Sequence, residues 1–190
     1  WSSDVCSSDL HAIDAALMVV GELAQVSASI TTQVPQWFES DTQRYVDTTA
    51  PDNIMVQGRL ENGAVLSAFV GVQPFHGTGY RFEIYGREGT LCMIGGGEAG
   101  EEAKRKIWGG KKADKALAEL PVPERLKWVP EAVRNVGRAY DVGQMWVNFA
   151  KSIRTSSSPH PDFDYAVKRH RMLDAMMRAS ETGQRQKVVL

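Results

Sequence analysis

The sequence predicts an α+β fold: an open, mainly antiparallel β-sheet with helices packed on one face. Three observations carry this expectation. A helical apolar pattern opens the chain at HAIDAALMVVGEL, and a capped helical segment, DFDYAVKRHRMLDAMMRASETG, lies near its end. Between them, IMVQGRLENGAVLSAFVGV places Asn62-Gly63 between two alternating runs, the pattern of a β-hairpin. Alternating GYRFEIYG and then TLCMI extend the hairpin into a meander.

In the first helix Ile13, Leu17 and Val20 fall on one face, with Ala16 and Leu23 beside it, and Gly21 weakens the last turn. QVSASITTQV alternates and is rich in β-branched residues, so it reads as a strand. ESDTQRYVDTTAPDN is polar and reads as a loop.

A two-residue turn pairing Glu61 with Ala64 would put Ile54, Val56, Leu60, Val65 and Phe69 on one sheet face. The other face would then carry Met55, Gln57, Arg59, Leu66, Ala68 and Val70. A sheet apolar on both faces is covered on both. Helices of this domain supply one cover, and a second subunit is the expected other.

Beyond TLCMI, the segment GGGEAGEEAKRKIWGGKKADKALAELPVPERLKWVP is charged and broken by Gly and Pro. It reads as a long excursion with a short helix or strand inside it. RAYDVGQMWVNFAKSIRT is helical, with Val142, Met145, Trp146, Phe149 and Ile153 in a stripe. In the last helix Asp162 is the expected N-cap and Gly183 the stop, and RQKVVL adds a final strand.

Composition bounds the rest. The 190 residues suffice for one domain with a real core, at 43% hydrophobic and 24% charged content. A net charge of −1 offers no attraction to nucleic acid or an anionic membrane. No apolar run approaches the roughly 20 residues of a membrane span. The first ten residues, WSSDVCSSDL, contain two near-copies of one pentapeptide and lack the basic start and apolar middle of a signal peptide. They are what a common sequencing adapter encodes, so the native sequence is expected to start at His11. Residues 1–10 are thus read as artefact or tail, and 11–190 as one domain. With Cys6 set aside, Cys92 alone remains, which makes neither a disulfide framework nor a zinc site. The expected location is the cytoplasm.

GGGEAG, Gly95 to Gly100, matches the dinucleotide-binding fingerprint literally. It is rejected because Glu98, Glu101 and Glu102 would repel a pyrophosphate, and LPVPERL stands where a second parallel strand should end in an acid. Among the histidines, His11 shares a helix face with Asp14 at i and i+3, and could exchange protons near neutral pH. By spacing alone the pair reads more readily as a surface His beside a capping Asp. His170 falls on the stripe of Phe163, Ala166, Val167, Leu173 and Met177, so it is expected in the core or at its boundary. His76, in PFHGTGY, sits where a strand gives way to a Gly-rich turn, a place that often faces ligands, though by itself it reads first as a plain turn residue.

Four segments together resemble the C-terminal domain of the Gfo/Idh/MocA oxidoreductase family. HAIDAALMVVGE resembles the end of the family's D-x-G-x-H-x-x-D helix. TAPDNIMVQGRLENGAVLSAFV resembles its hairpin, in the style of the branch that includes the yeast galactose-pathway repressor and its bacterial relatives. GYRFEIYGREGTLCM resembles the next strand pair, and PDFDYAVKRHRMLDAMMRASETGQRQKV the closing helix and strand.

The resemblance implies a two-domain, NAD- or NADP-dependent enzyme whose other domain binds the dinucleotide and supplies the Lys of an E-K-P motif. Hydride would pass between nicotinamide and a carbon of a sugar or polyol. His11 matches the motif histidine, the expected catalytic residue, and Asp14 the following acid. Asp14, His76 and Tyr80 are expected to contact substrate. The motif aspartate would fall on Ser7, and no E-K-P occurs in the chain. The chain alone is therefore expected to bind no cofactor and no metal and to catalyse nothing, and to assemble as a homo-oligomer through the sheet face of Met55, Leu66, Ala68 and Val70. As the alternative, the resemblance allows a non-catalytic regulator that senses a sugar or nucleotide.

Overall fold

The computed structural model of the chain describes residues 7–71, 79–95 and 106–189. They divide into two compact units, Trp1–Val72 with Pro161–Leu190 and Gln73–His160.

The first unit is built on a sheet in the order β10-β1-β4-β5, from β1 (Leu23–Thr31), β4 (Asn53–Leu60), β5 (Val65–Gly71) and β10 (Gln186–Lys187). Helices α1 (Ser7–Val20) and α3 (Phe163–Thr182) supply its core with Ile13, Leu17, Met172, Leu173, Ala175 and Met176. These pack with Leu23, Val26, Ile54, Val56 and Leu60 of the sheet. The caps of α3 are those the sequence indicates. Asp162 accepts the amide of Tyr165 at 2.9 Å, and Gly183 adopts φ +66°, which ends the helix. The chain then returns along β1, with the Val188 amide donating to the Ala24 carbonyl at 3.0 Å.

The β4–β5 register differs from expectation by one residue. Arg59 pairs with Val65 and Ile54 with Val70. The turn holds three residues rather than two. Only Gly63 takes positive φ, at +87°, and Asn62 keeps negative φ while its Oδ1 accepts the Ala64 amide at 3.0 Å. One extra turn residue flips every side chain of the second strand. Leu66, Ala68 and Val70 therefore join Ile54 and Val56 on the helix-covered face. Val65 and Phe69, expected there, are 80% and 59% exposed, beside Met55 at 53%. Met55, Leu66, Ala68 and Val70, expected as the subunit face, therefore do not share a face: only Met55 is on the outer side.

Residues 39–53, expected as a loop, contain a strand. β2 (Gln36–Glu39) and β3 (Arg44–Asp47) form a separate antiparallel ladder that pairs Trp37 with Val46 and Phe38 with Tyr45. Its polar outer positions hid it, because a ladder with no core beneath it leaves no alternation to read.

The second unit contains the sheet β6-β7-β8-β9, from β6 (Tyr80–Tyr85), β7 (Gly89–Gly95), β8 (Lys106–Lys111) and β9 (Ala118–Leu120). The excursion thus supplies two strands. KIWGGK has weak strand propensity, but Gly109 is buried where a Cβ would lie 2.6 Å from Leu120 Cδ1, so β9 can close over it. Beyond Gly95, the glycine-rich motif lies outside the described residues, as does His76.

Helix α2 (Arg138–Thr155) has the expected bounds. Its Gln144 side chain ties down the preceding segment, accepting the amides of Trp128 at 2.8 Å and Val129 at 3.0 Å and donating to the Leu126 carbonyl at 2.6 Å. The stripe Val142, Met145, Trp146, Phe149 and Ile153 is exposed.

His170 is also exposed, contrary to expectation. The buried arc of α3 runs through Arg169, Met172, Leu173, Met176 and Ala179, while Phe163 and Val167 face outward. Arg169 occupies an inner position, and a charged residue there shifted the apparent apolar stripe to its neighbour. Every strand pairing among the described residues is antiparallel.

Candidate functional site

Helix α1 carries the first two candidates. Ile13, Ala16 and Leu17 bury its inner face, and this sets where the others point. His11 is exposed, leaving its imidazole open to solvent or a ligand. Asp14, one turn on, is half-buried at the edge of the inner face.

Asp14 meets α3. Its Oδ1 accepts from Arg169 Nε at 2.7 Å and from the Tyr165 hydroxyl at 2.5 Å. The other end of the guanidinium reaches Glu22, just beyond α1. Nη1 pairs with Glu22 Oε2, and Nη2 donates to Oε1 at 3.1 Å and to the Tyr165 oxygen at 2.7 Å. The guanidinium carbon also lies 4.4 Å from the centroid of the Tyr165 ring.

The electrostatics follow from burial. The Arg169 side chain is 3% exposed, so its charge needs partners. Burial alone would lower its pKa, but the bonds to Glu22, Tyr165 and Asp14 prevail and hold it above the usual arginine range. Tyr165 is also pushed above the usual phenol range, first by burial and then by donating to Asp14, against the opposing pull of Arg169. One cation faces two carboxylates, so the cluster carries a net negative charge.

Sequence reasoning missed Arg169, Tyr165 and Glu22. The available signal was the i, i+4 spacing of Tyr165 and Arg169 on the row of Met172 and Met176, which puts a cation on a buried arc.

The remaining candidates are not gathered here. Tyr80 is half-buried at the start of β6, in the second unit, with its ring centroid 6.5 Å from that of Phe82. A cleft of about 270 Å³ in that unit is lined by Gly89, Gly110, Lys111, Lys112, Asp114 and Lys115 and includes none of the expected site residues. Among the described residues no group of three or more His, Cys, Asp or Glu could hold a metal ion, and no helix is long and apolar enough to cross a membrane. On this geometry the α1 site can offer an exposed imidazole, on a helix anchored one turn away by an ionic cluster, as proton donor or acceptor.

The family model described as the C-terminal alpha/beta domain of an oxidoreductase family, Gfo/Idh/MocA, matches residues 6–190. No curated protein matches the chain. Among solved structures, an oxidoreductase domain protein from Kribbella flavida superimposes with a TM-score of 0.76 at 17% identity, over 97% of this chain and 51% of that one. Levoglucosan dehydrogenase in complex with NADH and L-sorbose gives 0.70 at 20% identity, over 96% and 50%. The transcriptional regulator Gal80p from Kluyveromyces lactis gives 0.66 at 20% identity, over 97% and 45%. The chain thus spans about half the length of these structures.

Proposed function

The chain belongs to the Gfo/Idh/MocA oxidoreductase family as its C-terminal alpha/beta domain, and from that premise we propose that it is the substrate-side domain of an NAD(P)-dependent oxidoreductase. The substrate would be a sugar or polyol, oxidised at a hydroxyl or reduced at a carbonyl. The carrying observation is that His11, which the resemblance matches to the family's motif histidine, is exposed on α1. When bound, the dinucleotide accepts or delivers the hydride. His11 would take the hydroxyl proton as the alcohol becomes a carbonyl, or return it in the reverse direction.

The cofactor would be held by another domain. A dinucleotide-binding domain is built on parallel strands, whereas the pairings described here are all antiparallel. Alone, the chain would bind no cofactor. Tyr80 and His76 remain candidates for the substrate wall. The outer sheet face of Met55, Val65 and Phe69 is the proposed surface for a second subunit. The cytoplasm is the proposed location.

The second reading is a non-catalytic regulator that senses a sugar or nucleotide, favoured by the likeness to Gal80p at the same 20% identity as levoglucosan dehydrogenase. One experiment separates the two. The complete gene is recovered, the full protein is purified, and NAD(P)H formation is followed with a panel of sugars and polyols. Turnover that falls by about 10²–10⁴ in His11→Ala supports the enzyme. Nucleotide binding without turnover on any substrate supports the regulator and ends the catalytic reading.

A further inference from the structure

We propose that Arg169 is the positioning residue of the α1 site, clamping the middle of the helix and the residues just beyond its C-terminal end so that His11 is held in one orientation. This rests on the reading of His11 given above.

The clamp is visible in where the guanidinium bonds go. Nε holds Asp14, one turn after His11, while Nη1 and Nη2 hold Glu22, two residues after α1 ends. The chain can bring Glu22 back to the same arginine because Gly21 adopts φ +99°, a conformation that residues with a Cβ rarely take. Tyr165 braces the arrangement from one turn earlier on α3, donating to Asp14 and accepting from Nη2.

The rest of α1 supplies less of this precision: Asn62 Nδ2 donates to the Val20 carbonyl at 3.0 Å, at the far end of the helix from His11. A helix of 14 residues is marginal by itself and depends on packing. Its inner contacts, through Ile13, Ala16, Leu17 and the half-buried Val20, are apolar. Apolar contact is non-directional, so it secures burial better than it secures rotation. A rotation by one residue, about 100°, would carry His11 to a different face of the helix. Charge-assisted bonds in a planar fork are directional and oppose that rotation.

Stability alone does not require an arginine. A buried ion cluster can often be replaced by apolar groups at little loss. Asp14 and Glu22 are 26% and 24% exposed in their side chains, so water can reach both if the arginine is removed. An apolar residue at 169 would continue the row of Met172 and Met176. Orientation is what that replacement would lose.

The test uses this chain with Arg169→Met, Arg169→Lys and Asp14→Asn, followed by amide hydrogen exchange and by the NMR signals of the His11 ring. In Arg169→Met the α1 amides should exchange about tenfold faster, on the scale of one charge-assisted hydrogen bond. Amides of α3 and β4 should keep their rates, and the His11 signals should shift or broaden. Arg169→Lys keeps the charge without the fork and should not restore them. If Arg169→Met fails to fold, Asp14→Asn carries the same readout at a site whose side chain is 26% exposed. The proposal is overturned if α1 exchange and the His11 signals stay at wild-type values. It is equally overturned if all amides accelerate together, or if Arg169→Lys restores the wild-type pattern. Loss of the catalytic reading would look different: the full protein would show no turnover while the Arg169 effects on α1 persisted.

Discussion

Leu60 and Ala64 face each other across the β4–β5 turn, the Leu60 amide donating to the Ala64 carbonyl at 2.8 Å. This fixes the pairing that puts Leu66, Ala68 and Val70 inside and Val65 and Phe69 outside. Gly63 at φ +87° closes the turn, and nothing lies within 4 Å of where its Cβ would be. The cost of Gly63→Ala is therefore conformational, about 1 kcal/mol. Urea unfolding should show that loss with an unchanged slope. A neutral result would mean that the turn does not need the left-handed residue.

Gly58 pairs with Val26, beside the irregularity between Leu23 and Gln25 in β1. A Cβ there would come within 2.5 Å of the Gln25 carbonyl oxygen and 2.6 Å of Leu23 Cδ2. Backbone cannot yield as a flexible side chain does. Gly58→Ala should destabilise by about 2–3 kcal/mol, the range of overpacked core sites. Thermal unfolding checks it, and an unchanged midpoint would contradict the close approach.

Asp52 is 2% exposed, accepting the amides of Gln33 at 2.7 Å and Val34 at 2.6 Å and the Asn53 side chain at 2.8 Å. Burial by itself would raise its pKa, but these hydrogen bonds prevail and hold it below the usual carboxylate value. A depressed folded-state pKa gives stability that is complete above the unfolded value of about 3.9. That stability is lost as pH falls through the folded value. Asp52→Ala should cost about 2 kcal/mol at neutral pH, since two amides lose their acceptor. It should also flatten the acid limb of the stability curve, and equal acid slopes in wild type and variant would refute this origin.

Tyr165 behaves with the opposite sign. Its folded pKa is raised, so its contribution is complete below the unfolded phenol value of about 10. It fades as pH rises through the folded value. Tyr165→Phe removes the donor to Asp14 and should cost about 1 kcal/mol at neutral pH. Ultraviolet titration of the tyrosines should lose one late-ionising group in the variant. Identical titrations would mean that the hydroxyl is not held between Asp14 and Arg169.

The proposed subunit surface predicts a change in size. Phe69→Lys with Val65→Lys places charge on the outer sheet face, where both parent side chains are already exposed, so folding should be kept. The variant should elute later from a sizing column than the wild type. Equal elution volumes would remove this face as the interface.

Much of the framework was legible in the residues themselves. The bounds of α2, both caps of α3 and the returning β10 depend on local chemistry: an N-cap carboxylate, a left-handed glycine and the 3.6-residue period. His11 and Asp14 were legible as neighbours because i and i+3 meet on any helix. Three things were decided only by tertiary structure. The faces of β5 depended on one extra turn residue, and Asn62-Gly63 suits a two-residue and a three-residue turn alike. The β2–β3 ladder and the glycine-containing β8 exist through their pairing partners, not through their own propensity. The Arg169 cluster joins residues more than 140 positions apart, Asp14 and Glu22 to Arg169. A charge on a helix reads as solvated until the fold buries it, and only then do its partners become necessary. The sequence by itself determined the helices, the central hairpin strands and the His11–Asp14 spacing; the tertiary fold decided which carboxylates the buried arginine would hold, because burial is what makes that pairing obligatory.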